Sequence, residues 1–381
     1  MLTYIVDLTG KIPKYDYALY NALIHLPFNR FIFIAPLSEY FSKDSLNYKS
    51  LCSPFSKHFK PKSRLRQMLK GIESIFNYII LCVLILKNNV DILHLQWLPF
   101  VEKGRKLDIL VLKVLKHFKP NLSVVLTIHN ILPHNIPSNK KHEYIHNFQA
   151  VDILVDRYIV HTYHSKTEAT SILGIRESKI HVVHHGIFEN QLPPKQYLNN
   201  TINLLMFGTQ SRYKGTDIFI DAISKLPNEI KTRITAIIAG PTDTAFYNSY
   251  HEHATNNSIS WNPNRISEEL LFSLIAQSDI VLLPYRSISQ SGVLLEAIGC
   301  EKLIIMSDLP SFIETMGGKR EDMFFETNNA DSLSQLIIKY VNGTARFEEN
   351  LNIIRDLKRK YSWHNSADKT IEIYNQLINK S

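Results

Sequence analysis

The sequence predicts an α/β protein of two doubly wound domains in tandem. Three observations carry this expectation. Short apolar runs alternate with helical patterns through the first half of the chain. A polar stretch after Gly186, containing FENQLPPKQYLNNT, breaks that periodicity with two prolines and three asparagines. The alternation then restarts. Short buried strands separated by helices require parallel βαβ units, because a parallel connection must cross back over the sheet.

In chain order, residues 2–8 form an apolar strand closed by a loop with Gly10 and Pro13, and residues 15–24 read as a helix. Residues 30–35, 91–95, 123–128 and 158–160 follow as short buried strands, with a helix at 105–117 among the segments between them. Beyond the polar stretch come a strand at 202–207, a helix at 215–226 and a strand at 234–239 ending at Gly240-Pro241. A helix at 268–277, a strand at 280–283, a helix at 293–298 and a strand at 303–306 complete the pattern. The expected domains are residues 1–190 and 201–362, both Rossmann-like and facing a cleft. A closing helix in 363–381 is expected to pack back on the first domain.

The 381 residues suffice for about two domains at roughly 100–200 residues each. Cys52, Cys82 and Cys300 are scattered, with no CxxC pair, which disfavours a disulfide scaffold or zinc ribbon and suits a reducing compartment. The first residues lack a basic segment followed by an apolar one, so no secretory signal is expected. The longest apolar run, 78–86, falls short of the roughly 20 residues a spanning helix needs. A cytoplasmic protein is expected, soluble or peripheral at the inner membrane face. Residues 1–195 hold 25 Lys+Arg against 14 Asp+Glu, whereas the rest of the chain is slightly acidic. The arm SKHFKPKSRLRQMLKG at 56–71 carries Lys57, Lys60, Lys62, Arg64, Arg66 and Lys70 and no acid, fitting an anionic membrane surface or an ordinary solvated helix start. No aromatic motif supports nucleic-acid binding.

Two segments suit phosphate binding, the alternatives being a solvated βα loop at 207–226 and an ordinary helix-surface acid at Glu296. In FGTQSRYKGTDIFIDAISKL at 207–226, a strand ends at Gly208 and Lys214-Gly215 opens a helix, gathering N–H groups with the cations Lys214 and Arg212. In LLPYRSISQSGVLLEAIG, Ser291-Gly292 precede a helix whose first N–H groups, at Gly292 and Val293, suit a phosphate. Glu296, one turn in, can accept hydrogen bonds from both hydroxyls of a ribose. Asp308 and Glu314 flank Pro310 in the following loop, and Glu314 reads as a functional carboxylate or, by preference, a helix-start acid.

Taken with IHNILPHN at 128–135, VHTYHSKTEATSILGIRESKIHVVHHGIFEN at 160–190, IIAGP at 237–241, LIIMSDLPSFIE and the closing KYSWHNSADKTIEIYNQL, these segments resemble family 4 of the retaining glycosyltransferases, of GT-B fold. The resemblance implies that Lys214 binds the donor diphosphate, that Glu296 binds the donor ribose, and that the amides of Gly292 and Val293 hold phosphate. It further implies that His129 reaches the reacting sugar and that Gly10 lies in the loop facing the donor phosphates. The implied donor is a UDP- or GDP-sugar and the acceptor a glycan or lipid-linked saccharide. No cofactor is expected. No DxD pair stands in a suitable loop, so Lys214 and helix N-termini would stabilise the leaving diphosphate in place of a metal.

The sequence departs from the family pattern in three places. The first of the family's two glutamates falls at Ile288, leaving Ser289, Gln290 and Ser291 as candidate donor-sugar contacts. Thr209 stands where an arginine is usual, with Arg212 nearby, and the N-terminal loop has one glycine where many members have two. HxxHH at 181–185 superficially suggests a metal site, but alternation along a strand separates its members. His185 is expected near the cleft, and His94 and His161 as structural or acceptor-side residues. A catalytically silent binding subunit is the competing expectation, favoured by Ile288. A nucleotide-dependent epimerase is a third, disfavoured by the lack of an N-terminal GxGxxG.

Overall fold

The strands of this chain are continuous apolar runs because both faces of each sheet are covered, so side chains pointing either way must be apolar. The computed structural model describes residues 1–26, 30–41, 46–51, 64–132, 138–188, 192–193 and 201–379. Much of the basic arm (52–63), His134 and most of the polar stretch after Phe188 lie outside the described residues. The chain divides into two compact units, one of residues 1–186 with 363–381 and one of residues 187–362.

The first unit holds β1 (Leu2–Val6), β2 (Arg30–Ala35), β3 (Tyr48–Ser50), β4 (Ile92–Leu95), β5 (Ser123–Thr127), β6 (Arg157–Val160) and β7 (Ile180–Val182). They form one parallel sheet in the order β3-β2-β1-β4-β5-β6-β7. Helices α1 (Pro13–Ile24), α2 (Arg64–Lys87), α3 (Leu107–Phe118), α4 (Ser138–Asp152) and α5 (Tyr163–Leu173) connect them. Val6, Leu95, Leu126 and Val160 point into one core layer, and Ile5, Ile92, Val125 and Ile159 into the other. The strand order reverses between β1 and β4, and in open α/β sheets this is where loops splay apart and ligands enter.

The second unit holds β8 (Ile202–Phe207), β9 (Ile234–Ala239), β10 (Ile259–Asn262), β11 (Ile280–Leu283), β12 (Leu303–Ser307) and β13 (Phe324–Phe325). Its sheet is parallel in the order β10-β9-β8-β11-β12-β13, with the reversal between β8 and β11. Helices α6 (Thr216–Ser224), α7 (Asn228–Lys231), α8 (Thr244–Asn256), α9 (Glu268–Gln277), α10 (Gly292–Gly299), α11 (Pro310–Thr315), α12 (Ala330–Val341) and α13 (Phe347–Lys360) complete it. Side-chain caps start several of these helices: Asp243 on α8, Ser267 on α9 and Asn329 on α12 accept first-turn N–H groups.

The last helix, α14 (Trp363–Ile378), returns to the first unit and packs on α1. Its indole lies so close over Gly186 that a Cβ there would sit 2.4 Å from Trp363 Cδ2, so only glycine fits. Ser366 Oγ donates to the carbonyl of His184 at 2.6 Å, fixing the same junction.

Two expectations need correction. The arm whose end reads as a solvated helix start and the separate apolar run 78–86 belong to one 24-residue helix, α2, apolar on its exposed as well as its buried face. Glu314 is the fifth of the six residues of α11, so it sits at the end of that helix and not at its start.

Candidate functional site

In the second unit, β8 delivers the chain to Gly208, whose left-handed φ of 93° only glycine adopts readily. A Cβ at Gly208 would lie 3.0 Å from Val293 Cγ2, which places this loop against the first turn of α10. Gln210 braces the loop, donating through Nε2 to the Gly208 carbonyl at 2.7 Å and accepting from Thr216 Oγ1 at 2.9 Å. A 3-10 turn over Arg212–Lys214 then ends at Gly215, φ 70°. A Cβ at Gly215 would meet the Pro284 carbonyl oxygen at 1.7 Å, so glycine is required there for space as well as for conformation.

That turn buries Lys214. Its Nζ donates to Tyr285 Oη at 2.6 Å and lies 4.1 Å above the centre of the same ring. Among the described residues no carboxylate forms an ion pair with it, and burial lowers its pKa to about 7. The Ser291 hydroxyl interacts with the same Tyr285 phenol. Ser291 also caps α10, accepting from Leu294 N at 3.2 Å. Burial holds Tyr285 neutral by raising its pKa. A cation and a helix start are therefore joined through one phenol at the switch point of the sheet.

The first N–H groups of α10 have no acceptors within the helix. Gly292 is exposed, and a Cβ placed on it would meet nothing within 4 Å, so the approach to these donors is open. Glu296 is buried on the same helix, one turn further. Arg212 is exposed, and the neighbouring Arg286 is committed to Asp217 in a bidentate pair at 2.7 and 2.8 Å. Ile288 packs against the core beneath α10 and its carbonyl accepts from Ser311 Oγ at 2.9 Å. Ser289 and Gln290 are half-buried beside it. Asp308 is taken up structurally, accepting from the N–H and hydroxyl of Thr327 and from Lys319 Nζ.

In the first unit, a polar layer lies under α1 and α14 at the C-terminal ends of the central strands. His129 follows β5, with its ring stacked on Trp97 at 4.8 Å and edge-on to Tyr15 at 4.9 Å. Both its ring nitrogens are engaged. Nε2 lies 3.1 Å from the Gln96 amide and Nδ1 lies 3.2 Å from His161 Nε2. His161 Nδ1 lies 2.9 Å from the Val183 carbonyl. A carbonyl oxygen only accepts, so His161 carries its proton on Nδ1 and offers Nε2 as an acceptor. His129 then donates from Nδ1 and keeps a bare Nε2. For a hydrogen bond to form there, the Gln96 amide must present its NH2 group, an orientation that also gives a role to the otherwise unpartnered Gln96 Nε2. Burial, followed by the neighbouring His161, His185, His94 and Lys11 charges, holds the His129 pKa well below its usual value.

His94, His161 and His185 stay neutral for the same reason. Burial lowers His94 to about 3, His161 to about 4 and His185 to about 3. His94 is bonded at both nitrogens, to Tyr374 Oη at 2.5 Å and Thr127 Oγ1 at 2.7 Å, which makes it a strut between sheet and α14. Gly10 adopts φ 58°, and the adjacent Lys11 lies 4.3 Å over the Trp97 ring. Asp16 on α1 is buried beside Asp7, and burial, followed by the Asp7 charge and a hydrogen bond between the two carboxyls, raises its pKa well above the usual range.

Tyr285, Gln96, Trp97 and the Asp7–Asp16 pair were missed from the sequence. Tyr285 alone left a signal, an aromatic residue directly after the strand-ending Pro284.

Residues 201–342 match the family described as glycosyl transferases group 1. The chain is 27% identical over 190 residues to the glycogen synthase of Thermodesulfovibrio yellowstonii, a stretch covering 46% of this chain and 35% of that protein. The chain spans about a third to somewhat over half the length of the curated relatives it matches. Over its whole length it resembles a glycosyltransferase of Rickettsia africae, with a TM-score of 0.70, 18% identity and coverage of 100% and 99% of the two chains. Anabaena HepE, solved in complex with UDP and glucose, gives a TM-score of 0.70 at 14% identity, over 99% of this chain and all of that one. The chain has the two-domain, Rossmann-like GT-B fold.

Proposed function

We propose that this protein is a retaining glycosyltransferase that moves a sugar from a UDP- or GDP-sugar to a glycan or lipid-linked acceptor, in the assembly of a surface polysaccharide or glycolipid. The observation that carries the reading is the buried Lys214, unpaired with any carboxylate among the described residues and joined through Tyr285 to the capped, open start of α10. A buried cation beside free helix N–H groups is arranged for a dianion, and a diphosphate supplies one. Similarity to the group 1 glycosyltransferases over 201–342 supports the same reading, as does the binding of UDP by Anabaena HepE.

In this reading Lys214 and the amides of Gly292 and Val293 hold the diphosphate, with Arg212 at its exposed side. Glu296 accepts from the ribose hydroxyls, and Ser289 and Gln290 contact the sugar in place of the glutamate that Ile288 replaces. The bond from the anomeric carbon to the diphosphate oxygen breaks as the acceptor oxygen bonds to the same face. The acceptor proton passes to the departing diphosphate. His129, through its bare Nε2, accepts from a sugar hydroxyl once Gln96 yields. Lys214 and the α10 N–H groups stabilise the leaving charge without a metal.

A silent binding subunit is the second reading. It is favoured by Ile288 itself, a half-buried apolar side chain packed against the core where the family pattern has a carboxylate. A panel of UDP- and GDP-sugars separates the two: calorimetric binding and turnover of one donor, both lost in Lys214→Ala and Glu296→Ala, support the enzyme. Binding without turnover under any acceptor condition supports the subunit, and no binding by folded protein overturns both.

A further inference from the structure

A helix lying on the surface of a protein ordinarily turns its apolar stripe inward and its polar residues outward. Helix α2 also presents an apolar stripe outward. Nine of the ten side chains it exposes among the described residues are large and apolar, running from Leu65 through Ile72, Phe76, Ile79 and Val83 to Leu86. At 100° per residue they fall within an arc of about 140°, one continuous stripe along a helix roughly 36 Å long. Its opposite face, with Tyr78, Leu81 and Ile85, is seated in the core. Helix α3, packed beside α2, exposes Leu110, Val114 and Phe118, each one turn from the next.

We infer that the outer faces of α2 and α3 form a docking surface for an anionic lipid bilayer. An apolar stripe of this size in water marks an interaction site. The charges around it select the partner. The acids of the described residues on the two helices, Glu73 and Asp108, are both buried, and Asp108 accepts from the N–H groups of Phe100 and Val101. What these helices and the turn before α3 expose in charge is cationic: Lys87, Lys103, Arg105, Lys106 and Lys113. An apolar face rimmed by cations, on elements whose described residues expose no carboxylate of their own, is complementary to acyl chains beneath anionic headgroups. A second copy of the chain fits poorly, because a two-fold contact would bring the same cations together without a carboxylate to meet them. No helix among the described residues is long and apolar enough to cross a membrane, so the stripe lies along the surface. This inference stands apart from the reaction proposed above and requires no donor or acceptor.

The test is sedimentation of the full chain with vesicles of phosphatidylcholine alone or mixed with phosphatidylglycerol, at about 0.1 M salt, where exposed charges are screened beyond about 10 Å. The wild type is expected to bind the mixed vesicles and to release as salt rises. Ile72→Ser/Phe76→Ser/Ile79→Ser, all on exposed positions, should lower that binding at least tenfold. Lys87→Glu/Lys113→Glu should erase the preference for anionic vesicles. Should the triple variant fail to fold, Phe76→Trp serves instead, and its added emission should shift to the blue with mixed vesicles only. Absence of binding, undiminished binding by the folded triple variant, or an unshifted emission from the Phe76→Trp variant overturns the inference. So does a wild-type dimer that the triple substitution dissolves, which would assign the face to a second copy.

Discussion

Lys214 and Tyr285 form a buried pair in which the ammonium donates to the phenol at 2.6 Å, with no carboxylate among the described residues paired to it. Burial leaves the lysine pKa near 7, so above neutral pH the free protein increasingly holds a neutral amine. A bound diphosphate would raise that pKa again and draw a proton in. Nucleoside diphosphate affinity is therefore expected to weaken as pH rises from about 7 to about 9, by up to roughly tenfold per unit. Calorimetry in buffers of different ionisation heats should show proton uptake at about pH 8. Lys214→Met should bind about 10–100-fold more weakly, with a flat pH profile. Tyr285→Phe should keep the profile but lose affinity, because the phenol positions the ammonium and does not titrate in this range. A flat wild-type profile would remove Lys214 from the phosphate site.

The hydrogen-bond chain from the Val183 carbonyl through His161 to His129 fixes which nitrogen of His129 is bare. Long-range proton–nitrogen spectra of histidine-labelled protein should show His129 protonated at Nδ1 and unprotonated at Nε2 between about pH 6 and 8. His161→Phe removes the acceptor and should move His129 toward the opposite tautomer, the one favoured in water, with a lower kcat. His161→Gln, which can still accept, should restore part of both. An unchanged His129 spectrum in His161→Phe would show that the chain does not set the tautomer.

The buried histidines make the fold sensitive to acid. His94, His161 and His185 have folded pKa values of about 3, 4 and 3, below the unfolded value near about 6.5. Between these limits the unfolded chain binds more protons, so stability falls as pH drops from about 6.5 toward about 4. Asp16 works in the opposite sense, since its raised pKa keeps a proton that the unfolded carboxylate releases above about 4. Urea titrations should show a net uptake of more than one proton on unfolding near about pH 5, falling away toward about pH 7. Asp16→Asn should be more stable than the wild type at about pH 7, with the gain shrinking as pH falls. Loss of stability in Asp16→Asn at neutral pH would mean that the carboxylate is ionised.

Three glycines separate packing from function. Gly215→Ala places a Cβ on the Pro284 carbonyl at a left-handed φ and should destabilise by at least about 2 kcal/mol. Gly186→Ala should destabilise through Trp363, and less so in a Trp363→Ala background, where the ring it strikes is gone. Gly292→Ala meets nothing and should leave stability within about 0.5 kcal/mol. It should still lower diphosphate affinity, because its methyl projects at the open end of α10. Equal thermal shifts in all three variants would refute the distinction.

The sequence by itself determined the class of fold and the two strand-to-helix loops proposed to hold phosphate. Short, mostly apolar runs such as 202–207, 234–239 and 280–283 read as strands by their length and flanking breakers, and each matches an observed strand end to end. Lys214-Gly215 and Ser291-Gly292 were legible because a helix start needs particular residues at fixed offsets, a local requirement that local sequence records. What lies far apart along the chain was settled only by tertiary structure. Tyr285 reaches Lys214 across 71 positions, and His94 meets Tyr374 across 280. Neither partner can be known until the strands are ordered in their sheets. The same holds for α2, whose apolar run at 78–86 does not itself say which of its faces is covered. Hydrophobicity records what a side chain avoids, and only the packed fold decides which faces of a helix are covered.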